Sequence, residues 1–162
     1  MTLQAGDQAP DFELPRDGGG RISLAEFRGR PVVLYFYPKD DTSGCTREAQ
    51  EFAAAYDDFR GLGFEVIGLS KDSVRRHDRF KAKYELPFPL ASDEEGAVVQ
   101  AYGAWVEKSM YGRRYMGIER STFLIDADGR VRRVWRRVKV PGHVAEVLAA
   151  ARELATAEPA PR

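Results

Sequence analysis

The stretch Val32-Val33-Leu34-Tyr35-Phe36-Tyr37-Pro38-Lys39-Asp40-Asp41-Thr42-Ser43-Gly44-Cys45-Thr46 decides how the chain is read. Its first six residues are apolar or aromatic without alternation, the pattern of a strand buried on both faces of a sheet. A turn rich in Pro, Asp, Ser and Gly follows. Beyond it Ala49, Phe52, Tyr56 and Phe59 recur at helical spacing, the stripe of an amphipathic helix. Carried backward, that register puts Cys45 on the same inward face and in the first helical turn. There, unpaired backbone N–H groups and the positive helix end favour an anion. The only cysteine of the chain is thus placed to act as a thiolate, the reactive form of the group.

Upstream of this stretch, Gly6 to Pro15 reads as extended, with Phe12 and Leu14 as its apolar residues. Asp17-Gly18-Gly19-Gly20 is a hairpin-type turn into Arg21-Ile22-Ser23-Leu24, and Leu24 to Phe27 makes a helical turn before Gly29-Arg30-Pro31. Downstream, Gly61 and Gly63 end the first helix and Phe64 to Ser70 is the next strand. A second helix runs from Ser73 to Tyr84, with Asp72 or Ser73 as N-cap and a stop before Pro87. Pro87 to Ala91 reads as a short extended piece and Glu94 to Tyr102 as a short helix.

Trp105 to Glu119 mixes glycines and aromatics in no single period and predicts a loop of irregular hairpin character. Arg120 to Ile125 and Val131 to Val138 are predicted antiparallel strands joined through Asp126-Ala127-Asp128-Gly129. Pro141-Gly142 opens a last helix with the stripe Val144, Val147, Leu148 and Ala151. This order predicts one α/β domain over residues 1–155, with a thioredoxin-like arrangement. A central mixed β-sheet is flanked by helices on both faces and preceded by an N-terminal β-hairpin. Residues 156–162 are expected to form a flexible tail. No G-x-G-x-x-G follows any strand, which disfavours dinucleotide binding.

The 162 residues suffice for one core, and the charges balance at 25 of each sign, so bulk electrostatics recruits neither nucleic acid nor an anionic membrane. The first residues lack a basic region followed by an apolar one, and a cytoplasmic protein is expected. One cysteine with His77 and His143 makes neither an internal disulfide nor a structural metal centre, and no cofactor is called for. His77 has no assignable role. Arg130, Arg132, Arg133, Arg136, Arg137 and Lys139 alternate with Val131, Val134, Trp135 and Val138 and read as a solvated strand face. Asp40 and Asp41 would oppose a thiolate if they faced the sulfur, and they are expected to point to solvent or to cap the turn.

Pro38, Thr42 and Cys45 stand in the spacing P-x-x-x-T-x-x-C, and the chain resembles the peroxiredoxins. The strings Phe36-Tyr37-Pro38-Lys39-Asp40-Asp41-Thr42, Gly44-Cys45-Thr46 and Ser121-Thr122-Phe123-Leu124-Ile125-Asp126 are similar to the subfamily called peroxiredoxin Q or bacterioferritin comigratory protein, over about Leu3 to Leu154. The resemblance implies a thiol-dependent peroxidase acting on hydrogen peroxide and organic hydroperoxides, in which Cys45 becomes a sulfenic acid. It also implies that Thr42 both accepts from and donates to the peroxide, that Arg120 contacts peroxide and keeps the sulfur ionised, and that Pro38 shields it. Backbone N–H groups around Gly44 supply further donors, and Glu48 holds the arginine. Ser43 stands where relatives often have proline.

Many members of that subfamily carry a second, resolving cysteine five residues after the first or on the following helix. Here the first position is Gln50, and Ser73 to Tyr84 contains no cysteine. A one-cysteine member is implied, acting as monomer or homodimer, whose sulfenic acid is resolved by an outside thiol, by another protein or by a second copy of the chain, with thioredoxin, glutaredoxin or glutathione as the external thiol reductant. Two other readings compete. A thiol-disulfide reductase is opposed by the missing C-x-x-C pair. In a redox-sensing or chaperone-like binding module, Cys45 would oxidise only slowly.

Overall fold

The computed structural model describes residues 2–157 and builds them into one five-stranded sheet, two hairpins and the helices that cover the sheet. In chain order the elements are β1 (Glu13–Pro15), β2 (Arg21–Ser23), β3 (Val32–Phe36), α1 (Ser43–Gly61), β4 (Glu65–Ser70), α2 (Val74–Tyr84), β5 (Leu90–Ser92), α3 (Ala97–Ala101), β6 (Trp105–Met110), β7 (Arg113–Ile118), β8 (Ser121–Ile125), β9 (Val131–Trp135) and α4 (His143–Ala157). The sheet order is β5-β4-β3-β8-β9, with β3 parallel to β4 and antiparallel to β8. This is the thioredoxin-like architecture expected, with β1 and β2 as its leading hairpin.

The central place of β3 explains its unbroken apolar run. Its side chains alternate between two separate cores. Val33 and Tyr35 join Phe52, Phe59 and Val147 on the side of α1 and α4, while Val32, Leu34 and Phe36 join Val99, Tyr102 and Phe123 on the other. On α1 the buried residues are Cys45, Glu48, Ala49, Phe52 and Phe59, the inward face predicted from spacing, with Tyr56 half-buried beside them.

Several boundaries differ from expectation. Trp105 to Glu119 contains a regular hairpin: β6 and β7 pair from Trp105↔Ile118 to Met110↔Arg113. Tyr111 and Gly112 sit between them with φ of 51° and 78°, the two positive angles of a tight turn that matches strand twist. Both faces of this ribbon are largely exposed, so no apolar alternation marks it in the sequence. The glycine-rich Asp17–Gly19 forms a 3-10 turn, and α3 begins only after Gly96, which takes φ of 81°. β9 ends at Trp135, two residues before Arg137 at φ of 50°. Thr156 and Ala157, expected in the tail, are the last residues of α4, and the rest of that tail, 158–162, lies outside the described residues.

Candidate active site

The site forms where β3 ends and α1 begins. Pro38 is half-buried at the start of the turn, and Thr42 is the exposed residue that precedes α1. The Thr42 carbonyl accepts from Thr46 N at 2.8 Å, opening the helix. Its hydroxyl donates to the Lys39 carbonyl at 2.8 Å and makes no capping bond. In this arrangement the single hydroxyl proton is engaged by Lys39 and the lone pairs are left to accept, whereas the expectation had the hydroxyl donating to peroxide as well.

Cys45 follows in the first turn of α1 and is 1% exposed. Arg120 reaches it from a distant part of the chain: Nη2 lies 3.4 Å from Cys45 Sγ, and Nη1 donates to Glu48 Oε1 at 2.7 Å. The register Phe36↔Ser121 carries this arginine to the end of β3. Its backbone is fixed on both sides, since the Arg120 carbonyl accepts from Val138 N at 3.0 Å and Glu119 N donates to the Ala104 carbonyl at 2.7 Å. Gly44 makes the approach possible. A Cβ there would stand 3.2 Å from Arg120 Nη2, tighter than ordinary packing allows.

The electrostatics follow from burial. Loss of water would lower Arg120, but the Glu48 and Cys45 charges outweigh it and raise the guanidinium further. Glu48 is 0% exposed, and burial pushes its carboxyl up to about 7 against the opposing pull of Arg120. Its Oε2 has no hydrogen-bond partner among the described residues, so the arginine is the group that compensates this acid. Lys108 on β6 lies within the field of the same groups, and burial followed by the Arg120 charge lowers its ammonium.

The structure therefore gathers Cys45, Arg120, Glu48 and Gly44 at one point, with Thr42 and Pro38 on the adjoining turn. Asp40 departs from expectation. It is 3% exposed and turned inward, where its carboxylate accepts from the Tyr37 hydroxyl and lies 2.7 Å from His77 Nδ1. Asp41 does point outward, with φ of 61°, and is held by Lys83 at 2.9 Å and Tyr84 at 2.8 Å. The sequence reading left His77 unassigned. Its position three residues before Phe80 on the buried face of α2 was the available sign that it faces inward. The basic strand face is largely solvated as expected, except for Arg136, which donates to the Tyr102, Gly103 and Leu3 carbonyls.

A lone thiol at a helix start, gripped by an arginine on a thioredoxin-like sheet, defines a thiol peroxidase. The AhpC/TSA family model matches residues 5–134, and the chain belongs to that family. It is 51% identical to a putative peroxiredoxin bcp of Coxiella burnetii, over 91% of this chain and 98% of that protein. It is 49% identical to peroxiredoxin Bcp of Bacillus subtilis, over 91% and 94%. Among solved structures, Xanthomonas campestris peroxiredoxin Q superposes with a TM-score of 0.88 at 44% identity, covering 93% of this chain and 98% of that one. Two further Xanthomonas structures are serine variants of two different cysteines, whereas the present chain has one.

Proposed function

We propose that Cys45 is the peroxide-reactive thiol and that this peroxidase is resolved by a thiol from outside the chain. The observation that carries the reading is the Arg120 guanidinium, 3.4 Å from Sγ and 2.7 Å from Glu48 Oε1. A permanently charged group in that place stabilises an anionic sulfur and, as the O–O bond lengthens, the negative charge that develops on the peroxide. In the first step Sγ attacks the near oxygen, the O–O bond breaks, and the far oxygen leaves with a proton as water or alcohol. Thr42 accepts from the peroxide O–H and orients it, and the N–H groups at Gly44 and Cys45, in the first turn of α1 where helix donors lack intrahelical partners, supply further donors. Pro38 shapes the mouth, and Glu48 holds Arg120.

The sulfenic acid then condenses with an external thiol, releasing water and forming a mixed disulfide. A second thiol reduces that disulfide, regenerating Cys45. A Xanthomonas campestris bacterioferritin comigratory protein has been studied for alkyl peroxide reduction through trapped intermediate and ligand complexes, which supports organic hydroperoxides as substrates here. Thioredoxin, glutaredoxin and glutathione are the candidate donors, and the proposed setting is the cytoplasm, as a monomer or homodimer acting through a single domain. No helix among the described residues is long and apolar enough to cross a membrane.

The test is peroxide turnover by the purified protein with each of the three donors in turn. At least one should support multiple turnovers in the parent and none in Cys45→Ser. No turnover with any of the three donors, or a Cys45–Cys45 disulfide between two copies forming ahead of any mixed disulfide, would overturn the external-resolution reading.

A further inference from the structure

One buried charged cluster lies directly beneath the turn and takes no part in the steps above. Asp40 stands between Pro38 and Thr42, and every polar atom it turns inward is engaged. The carboxylate accepts from the Tyr37 hydroxyl on one oxygen and lies 2.7 Å from His77 Nδ1 with the other, and its backbone N–H donates to Asp72 Oδ2 at 2.8 Å. The far nitrogen of His77, Nε2, is 2.9 Å from the Ala91 carbonyl. Both ring nitrogens therefore face acceptors, and the ring that satisfies both carries a proton on each. The two side chains are 0% and 2% exposed, so the contact is fully buried and, with the imidazole protonated, is an ion pair joining the turn before α1 to the middle of α2.

We propose that Asp40 and His77 are positioning residues for the peroxidase reaction: their buried ion pair draws the Pro38–Thr42 turn onto α2, setting Thr42 and the start of α1 for peroxide while cancelling the carboxylate's charge. The inference rests on the reading of Cys45 as the peroxide-reactive thiol. With Asp40 turned inward, its neighbour Asp41 takes a positive φ and points outside, and the Lys39 carbonyl on its other side receives the Thr42 hydroxyl proton. The charges are also matched. Asp40 from the turn and Asp72 from the β4–α2 connection are the carboxylates facing His77. Arg76 of α2 pairs with Asp72 at 3.2 Å, while the hydroxyl of Tyr37, one residue past β3, and the Ser70 hydroxyl of β4 donate into the cluster. Burial alone would lower His77, but the Asp40 hydrogen bond and charge outweigh it and the ring is raised. Removing the imidazolium leaves an uncompensated buried anion at the turn, the costly way to break such a pair.

The test compares two reactions of the same thiol in His77→Leu, Asp40→Asn and the double variant. Oxidation by hydrogen peroxide uses the turn, whereas alkylation by iodoacetamide does not. In His77→Leu the peroxide rate constant should fall by about tenfold to a hundredfold, as expected for a misplaced reacting group, with a much smaller loss in alkylation. The double variant, which removes both charges, should recover more rate than the two single losses predict if added. The parent's peroxide rate should also fall as pH rises past the free-imidazole range and His77 loses its proton, and this limb should be absent from the double variant. A folded His77→Leu protein that oxidises within about twofold of the parent overturns the proposal. Should that variant not fold, a nitrogen NMR titration of the parent decides: a ring that keeps both protons to a higher pH than free imidazole is expected, and one that loses its second proton at or below the free-imidazole range overturns it.

Discussion

Replacing Arg120 with Met removes the cation that touches the sulfur while keeping most of the side-chain volume. The loss has two parts. At 3.4 Å from Sγ, a unit charge is worth about 5 kcal/mol to an anionic sulfur at an effective dielectric of about 20. Part of that is offset by the cost of burying the pair, and a net loss of about 3–4 kcal/mol in the transition state corresponds to roughly a hundredfold to thousandfold in rate. The second part is structural. Glu48 loses its partner at Oε1 while Oε2 is already unpaired, so the acid is left buried and uncompensated. Keeping it ionised would cost about 3–5 kcal/mol, so the variant melts lower or takes up a proton. The double variant R120M/E48Q separates these effects, since it should regain melting temperature without regaining rate. Arg120→Lys keeps the charge but lacks the fork that reaches Sγ and Oε1 together, and should fall between. Stopped-flow oxidation of the reduced proteins by hydrogen peroxide, with thermal melts beside it, measures both parts. A folded Arg120→Met protein within about threefold of the parent rate would refute the reasoning.

With Glu48 raised to about 7, its ion pair with Arg120 is present above that pH and weakens as the acid protonates below it. The parent's oxidation rate should carry a step near neutrality that Glu48→Gln lacks. Thr42→Val removes the acceptor for the peroxide proton and should slow oxidation by about a hundredfold, while Thr42→Ser keeps it and stays near the parent, both read by the same stopped-flow assay. His143 is buried, lies with Nε2 2.8 Å from the Thr122 hydroxyl, and is lowered by burial from 6.5 to about 4. As pH falls through that window the unfolded chain binds the proton first, which costs the native state up to about 3 kcal/mol. Glu48 has the opposite sign, because between about 7 and 4.5 the native state binds first and gains. Urea midpoints at neutral and mildly acidic pH should therefore rise on acidification in His143→Gln and fall in Glu48→Gln, relative to the parent.

The unbroken apolar run of β3 and the stripe from Ala49 to Phe59 were enough to place Cys45 inward at a helix start, because burial on two faces and helical periodicity are local signals. Arg120 was legible only through the family pattern. It lies 75 residues from Cys45, and what brings it there is the antiparallel pairing of β3 with β8, a long-range register with no local mark. The β6–β7 segment reads in the sequence as a loop of irregular hairpin character, and its regular pairing escapes because an exposed ribbon needs no apolar alternation. Asp40 was misread for a related reason. A turn residue of its type is ordinarily solvated, and its burial depends on a partner on α2 that stands 37 residues away. His77 was the other half of that pair, and neither residue is interpretable without the other.

The central claim, that Cys45 takes an oxygen from peroxide in a site preorganised for it, is tested most directly by adding one equivalent of hydrogen peroxide to the reduced protein and following Cys45 by mass spectrometry with a sulfenic-acid trap. Rapid, stoichiometric loss of peroxide with one trapped sulfenic acid on Cys45, and neither in Cys45→Ser, is the predicted result. Equal peroxide loss in the serine variant, or oxidation of Cys45 no faster than that of free cysteine, would contradict it.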